Sequence, residues 1–147
     1  MADAAPLISA ELMAAINEDM EGIYNCWKTT CTEEQKEAAL RSMTEFNNNP
    51  NFKAEKMARQ TELFNQADAN NDGVLDAAEY ETYYSSNDAD KTAKGEWTDP
   101  REGRGAAQYA LANQINPAQE GVTFADIETL IAAAMPKMAE LRAADGL

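Results

Sequence analysis

Twelve consecutive residues, Asp68-Ala-Asn-Asn-Asp-Gly-Val-Leu-Asp-Ala-Ala-Glu79, carry oxygen-bearing side chains at a spacing that suits a hard divalent cation. They satisfy the pattern D-x-[DN]-x-[DN]-G-x5-E without a mismatch. Ca²⁺ takes about six to eight oxygen ligands at roughly 2.3–2.6 Å. Asp68, Asn70 and Asp72 alternate, so a curling backbone can aim each side chain inward. Gly73 permits the sharp turn that a side chain would obstruct. Val74 offers its backbone carbonyl. Asp76 coordinates directly or through water, and Glu79 supplies two oxygens that close the sphere. Leu75 is the apolar position, expected to point away from the ion into a core. The four carboxylates of the loop, Asp68, Asp72, Asp76 and Glu79, also suit Mg²⁺ in competition. An ion-free acidic turn is the competing reading. The complete register of ligand positions, glycine and terminal glutamate favours the metal.

Two helices must hold such a loop. Leu63 and Phe64 lie one turn before it, and Tyr80, Tyr83 and Tyr84 follow it at helical spacing. On this loop and these flanks the chain resembles the EF-hand superfamily of calmodulin- and parvalbumin-like proteins, over about residues 57–135. One departure is Ala67, where that family more often places a large apolar residue. The resemblance implies that such hands come in pairs, joined loop to loop by a short β-contact. Here that contact is expected between Leu75 and either Val122 or Thr123.

A second copy of the motif is present in degenerate form. Leu63-Phe-Asn-Gln-Ala-Asp68 aligns with Leu111-Ala-Asn-Gln-Ile-Asn116, and Ala78-Glu-Tyr-Glu-Thr-Tyr-Tyr84 with Ala125-Asp-Ile-Glu-Thr-Leu-Ile131. The offset falls from 48 to 47 residues after the shared Gly-Val, so the second loop, Asn116 to Asp126, has 11 residues rather than 12. It offers Asn116, Glu120 and Asp126, while Pro117 and Ala118 stand where flexible ligand-bearing positions would be. Asp126 is one methylene shorter than a glutamate, so bidentate closure is disfavoured. This loop is expected to be ion-free and kept for packing.

The rest of the chain reads as all-α. Ile8, Leu12, Ile16, Met20, Ile23 and Trp27 mark one face of a helix over residues 7–28. Thr32 and Gln35 form a capping box for a second helix that runs to about Phe46, with Ala39, Leu40 and Met43 inward. Asn47 to Asn51 reads as a breaker, followed by a third helix over 53–67. A fourth helix is expected to end near Tyr84, with Ser85–Thr98 as a flexible connector. Asp99 as N-cap, Pro100 at the first helical position and Glu102 predict a fifth helix to about Ile115. A sixth begins near Thr123, with Pro136 expected to kink it. These elements divide into an N-terminal helix pair, residues 1–50, which reads either as a vestigial hand or as a target-binding or assembly arm, and paired hands over 51–147.

Composition bounds the function. The 147 residues include 26 acids and 12 bases, a net charge of −14, which argues against nucleic acid and anionic lipid and favours cationic partners. With no histidine, Ser-His-Asp and Cys-His catalysis and His-ligated zinc are excluded, and the chain does not read as an enzyme. Two cysteines, Cys26 and Cys31, are too few for a disulfide framework. The start of the chain lacks the features of a secretory leader, and Ala2 cannot be N-myristoylated. No apolar run approaches a membrane span. A cytoplasmic location is expected. Three roles share the site: a Ca²⁺ sensor, a Ca²⁺/Mg²⁺ buffer, and a light-chain-like structural subunit. The single intact loop favours the sensor, with a basic amphipathic helix as target. Met20, Met43, Met57, Met135 and Met138 either fill the core or line the target groove, with core the more common fate of such positions.

Overall fold

The computed structural model describes residues 8–146. The readings that touch residues 1–7, namely the lack of a leader, Ala2 and a helix start at residue 7, lie outside the described residues. Six helices occur among those described: α1 (Ala10–Thr30), α2 (Glu33–Asn48), α3 (Pro50–Ala67), α4 (Ala77–Ala93), α5 (Arg104–Ala112) and α6 (Phe124–Ala144). The all-α expectation is met. The only β feature among the described residues is one antiparallel bridge, Leu75 to Val122, at the predicted contact.

Local chemistry explains most of the boundaries. Ser9 Oγ accepts the Leu12 N–H at 3.1 Å and opens α1. The Thr32–Gln35 box opens α2 as expected. The expected breaker at 47–51 is nearly absent, because only Asn49 leaves helical geometry. Its side chain accepts the N–H groups of Asn51 and Phe52, and Pro50 starts α3 at once. Proline suits that position, since its ring presets φ and the missing N–H would have no partner there.

Two expectations about the second half are corrected. First, α4 does not stop at Tyr84. The apolar periodicity fades there, but the helix runs nine residues further. Its true stop is Gly95 at φ 74°. The Glu96 N–H reaches Lys91 O at 2.9 Å and the Gly95 N–H reaches Thr92 O at 3.0 Å, the paired bonds of a glycine-terminated helix. Arg59 of α3 also grips Asp90 through Nε at 2.9 Å and Nη2 at 3.1 Å. Native-state hydrogen exchange should therefore show protection through Ala93 and fast exchange at Thr98, Glu102 and Gly103. Fast exchange across Ser85–Ala93 would return the helix end to Tyr84.

Second, Asp99 caps no helix. Its carboxylate accepts from Arg101 N at 3.1 Å, Arg101 Nε at 3.0 Å and Arg101 Nη2 at 2.7 Å. Buried Arg104 sets its Nε 3.2 Å from Asp99 and donates to Asp19 of α1 at 2.8 and 2.9 Å. Burial works against the charge on Asp99, but its bonds to Arg101, helped by Arg104, outweigh this and hold its carboxyl below the usual range. The strong ion pairs thus draw Asp99 away from capping. The fifth helix starts only after Gly103, which takes φ 77°, and it ends at Ala112 rather than Ile115. Pro136 lies inside α6, which continues through it as one element. Pro136 and Ala132 are both exposed, so the carbonyl deprived of its donor faces water.

The helices share one core. α1 packs chiefly along α6, α4 lies between α3 and α5, and α2 rests on α3. Leu12 and Ile16 of α1 join Leu63, Phe64, Leu75, Tyr80, Val122 and Ile127 in a single apolar cluster. The expected inward set on α2 is wrong: Ala38 is the buried position, while Leu40 is 56% and Met43 42% exposed. α2 has only α3 as a major neighbour, so its far face stays open. Met57, Ile131 and Met135 are likewise exposed, whereas Met20 packs against the core. No helix among the described residues is long and apolar enough to cross a membrane.

Candidate metal centre

The loop between α3 and α4 curls as its composition demands. Asn71 at φ 54° and Gly73 at φ 80° take left-handed geometry, which asparagine and glycine tolerate best. Asp68, 5% exposed, ends α3 and turns its carboxylate into the loop. Its Oδ1 accepts the Asp72 N–H at 3.2 Å and its Oδ2 the Gly73 N–H at 2.8 Å. Asp72 Oδ1 accepts the Val74 N–H at 3.0 Å. Glu79 spans the loop: Oε1 accepts from Asp76 N at 3.1 Å and Oε2 from Ala69 N at 2.9 Å. One carboxylate therefore ties the first turn of α4 to the residue after Asp68.

Asp68, Asp72 and Glu79 each bring a carboxylate oxygen within 4.8 Å of the others. Oxygens on opposite sides of one Ca²⁺ are about 5 Å apart, so the three fit around a single ion. Each carboxylate keeps lone pairs beyond its backbone bonds. No Lys or Arg among the described residues forms an ion pair with Asp68, Asp72, Asp76 or Glu79. No described cation thus pairs with the charge of the loop, and the donor set is the all-oxygen kind that hard cations take. Asn70 and Val74 lie between these carboxylates along the loop. Asp76 stands outside the trio. Its Oδ1 accepts the Glu79 N–H at 2.8 Å and caps α4.

Behind the loop, Leu75 is fully buried, as expected. Its N–H donates to Val122 O at 2.8 Å and its carbonyl accepts from Val122 N at 2.9 Å. Gly121, at φ 98°, lies so close that an added Cβ would overlap Val74 Cγ1 and come within 2.9 Å of Leu75 O. Asn113 Oδ1 accepts the Gly121 N–H at 3.0 Å and holds it there. The sequence reading missed Gly121 and Asn113 as supports of the loop; the alignments of Asn113 with Asn65 and of Gly121 with Gly73 were two signals for them, but neither showed the close approach of the loops.

The second loop shows why one methylene matters. Thr123 and Asp126 form a capping box on α6, equivalent to Asp76 and Glu79 on α4. Asp126 Oδ2 accepts only the Thr123 N–H, at 3.0 Å. Pro117 occupies the place of Ala69 and has no N–H to offer. Asn116 Nδ2 instead donates to Gln119 Oε1 at 3.2 Å. Among the described residues, the first loop is the one place where three acidic side chains converge closely enough to share an ion. No protein-family model, curated protein or solved structure matches the chain.

Proposed function

We propose that this protein binds Ca²⁺, with Mg²⁺ as competitor, in an EF-hand-type helix–loop–helix, and that it acts as a Ca²⁺ sensor for a target protein. The convergence of Asp68, Asp72 and Glu79, in register with the full loop motif, carries this reading. Asp68, Asn70, Asp72 and Glu79 would hold the ion with the Val74 carbonyl, and Asp76 through a water. The ion would supply the positive charge that the loop lacks. The Leu75–Val122 bridge supports a paired partner in the ion-free second loop.

The same residues favour a sensor over a buffer. Asp68 ends α3 and Glu79 begins α4, so a ligand shared by both bears on the angle between these helices. Leu75 and Val122 link the loop to the start of α6, whose Ile131 and Met135 are 53% and 63% exposed. With Met20 and Leu111 these line a groove between α1, α5 and α6 of about 290 Å³. Exposed methionines adapt to varied helices, and the net charge of −14 suits a basic one. The free thiols of Cys26 and Cys31 fit a reducing compartment.

Isothermal titration of two variants tests the site. Glu79→Gln is expected to weaken Ca²⁺ binding at least about tenfold, because it removes a charged bidentate ligand. Asp126→Asn retains a capping oxygen and should leave affinity within about twofold. The reverse order would move the site to the second loop. An increase in apolar dye fluorescence with Ca²⁺ identifies the sensor; no increase identifies the buffer.

A further inference from the structure

A second groove, sharing Ile23 and Met138 with the α1–α5–α6 groove, lies where the C-terminal halves of α1 and α6 meet α2. It is lined almost wholly by apolar side chains, and both tryptophans of the chain, Trp27 and Trp97, form part of its wall. Leu40 and Met43, which the sequence placed in the core, stand exposed at its edge, and Met138 closes the α6 side. Two charged residues line it, Lys36 and Arg142, and both are basic. No acid lines it, although the chain has 26 acids against 12 bases. The three other described cavities of this size all include a carboxylate in their walls.

The two cations differ. Lys36 pairs with Glu33 at 3.4 Å and sits 5.5 Å from the Trp27 ring centre. Arg142 has no carboxylate within ion-pair distance among the described residues. Its Nη1 rests 3.6 Å from Met43 Sδ, across the groove. A guanidinium held against a thioether has its strong donors unspent.

From this arrangement we infer that the groove binds a small amphiphilic carboxylate, with its apolar tail along Trp27, Trp97 and Met138 and its head at Arg142 and Lys36. Charge complementarity selects the head: a basic helix of the kind proposed for the α1–α5–α6 groove meets two like charges here. Size selects the tail. The groove holds about 190 Å³, room for about six water-sized groups at roughly 30 Å³ each. That matches the alkyl chain of a medium-chain acid such as octanoate. The site lies toward the C-terminal end of α6, while the metal loop adjoins the N-terminal end of that helix. Met138 is fifteen residues beyond Thr123, about 22 Å along the axis at 1.5 Å per residue, so ligand and ion make no contact and binding is expected in chelator as in Ca²⁺.

Tryptophan fluorescence tests this directly, because no tryptophan lies elsewhere in the chain. Octanoate titrated into the full chain, in chelator and again in Ca²⁺, should give the same saturable spectral shift in both. 1-Octanol, with the same tail and no charge, should bind about tenfold more weakly. Arg142→Gln should weaken octanoate by a similar factor and leave octanol unchanged, with circular dichroism confirming the fold. Met43→Glu, which puts an acid at the groove edge, should also weaken octanoate but not octanol. The proposal is overturned if no saturable shift occurs, if octanoate and octanol bind equally, or if Arg142→Gln changes nothing. It is also overturned if sedimentation shows the groove filled by a second copy of the chain that octanoate does not displace.

Discussion

Saturating Ca²⁺ is expected to raise the melting temperature by about 10 °C over the value in chelator. The folded loop gathers Asp68, Asp72 and Glu79 to within 4.8 Å of one another, and no lysine or arginine among the described residues pairs with them. In the unfolded chain the same carboxylates are dispersed and bind a cation poorly. A ligand present at a thousand times its dissociation constant stabilises the folded state by about 4 kcal/mol. For a chain near 150 residues, each kcal/mol moves the midpoint by roughly 2–4 °C. Calorimetry in Ca²⁺, Mg²⁺ and chelator measures the effect. Mg²⁺ should give a smaller rise, since it dehydrates reluctantly, and Glu79→Gln should abolish most of the Ca²⁺ increment. Equal melting temperatures in Ca²⁺ and chelator would remove the metal site from the account.

Gly121→Ala should destabilise the fold by about 3 kcal/mol, read from chemical denaturation. Two costs combine. The left-handed backbone at φ 98° penalises any side chain, by about 1–2 kcal/mol. The new Cβ also meets Val74 Cγ1 and the Leu75 carbonyl, where the two loops are bonded to each other and neither side is free to retreat. Gly95→Ala separates these costs. Gly95 has φ 74° with nothing within 4 Å of an added Cβ, so only the backbone term of about 1–2 kcal/mol applies. Ca²⁺ affinity should fall in Gly121→Ala and not in Gly95→Ala, because the added Cβ would press on Val74, whose carbonyl is a proposed ligand. Equal destabilisation of the two variants would show that the contact between loops is loose.

The features legible in sequence were those set by residues close together in the chain. The capping box at Thr32, the left-handed turn at Gly73 and the curl of Asp68 around the loop amides depend on neighbours within a few positions. The repeat mapped one loop onto the other, and the contact that the family resemblance implies, between Leu75 and either Val122 or Thr123, falls at Val122. Failures occurred where a distant partner outweighed local propensity. Asp99 has every local mark of an N-cap, yet Arg101 and Arg104 claim its carboxylate. The end of α4 was misplaced because apolar periodicity was followed instead of the stop signal at Gly95, which was visible in the chain.

Burial is where chain position says least. Leu40, Met43, Ile131 and Met135 sit on helical faces that look internal, and all four are exposed. A periodic stripe identifies the apolar face of a helix but does not count the helices available to cover it. The curl of the acidic loop, and so the order of its proposed ligands, was determined by twelve adjacent residues, because hydrogen bonds within a turn need no other part of the molecule. Which apolar faces were left open, and that one of them lies between two cations and no acid, was decided only when α1, α2 and α6 packed. Tertiary contacts allot a limited supply of neighbours, and no local pattern carries that information.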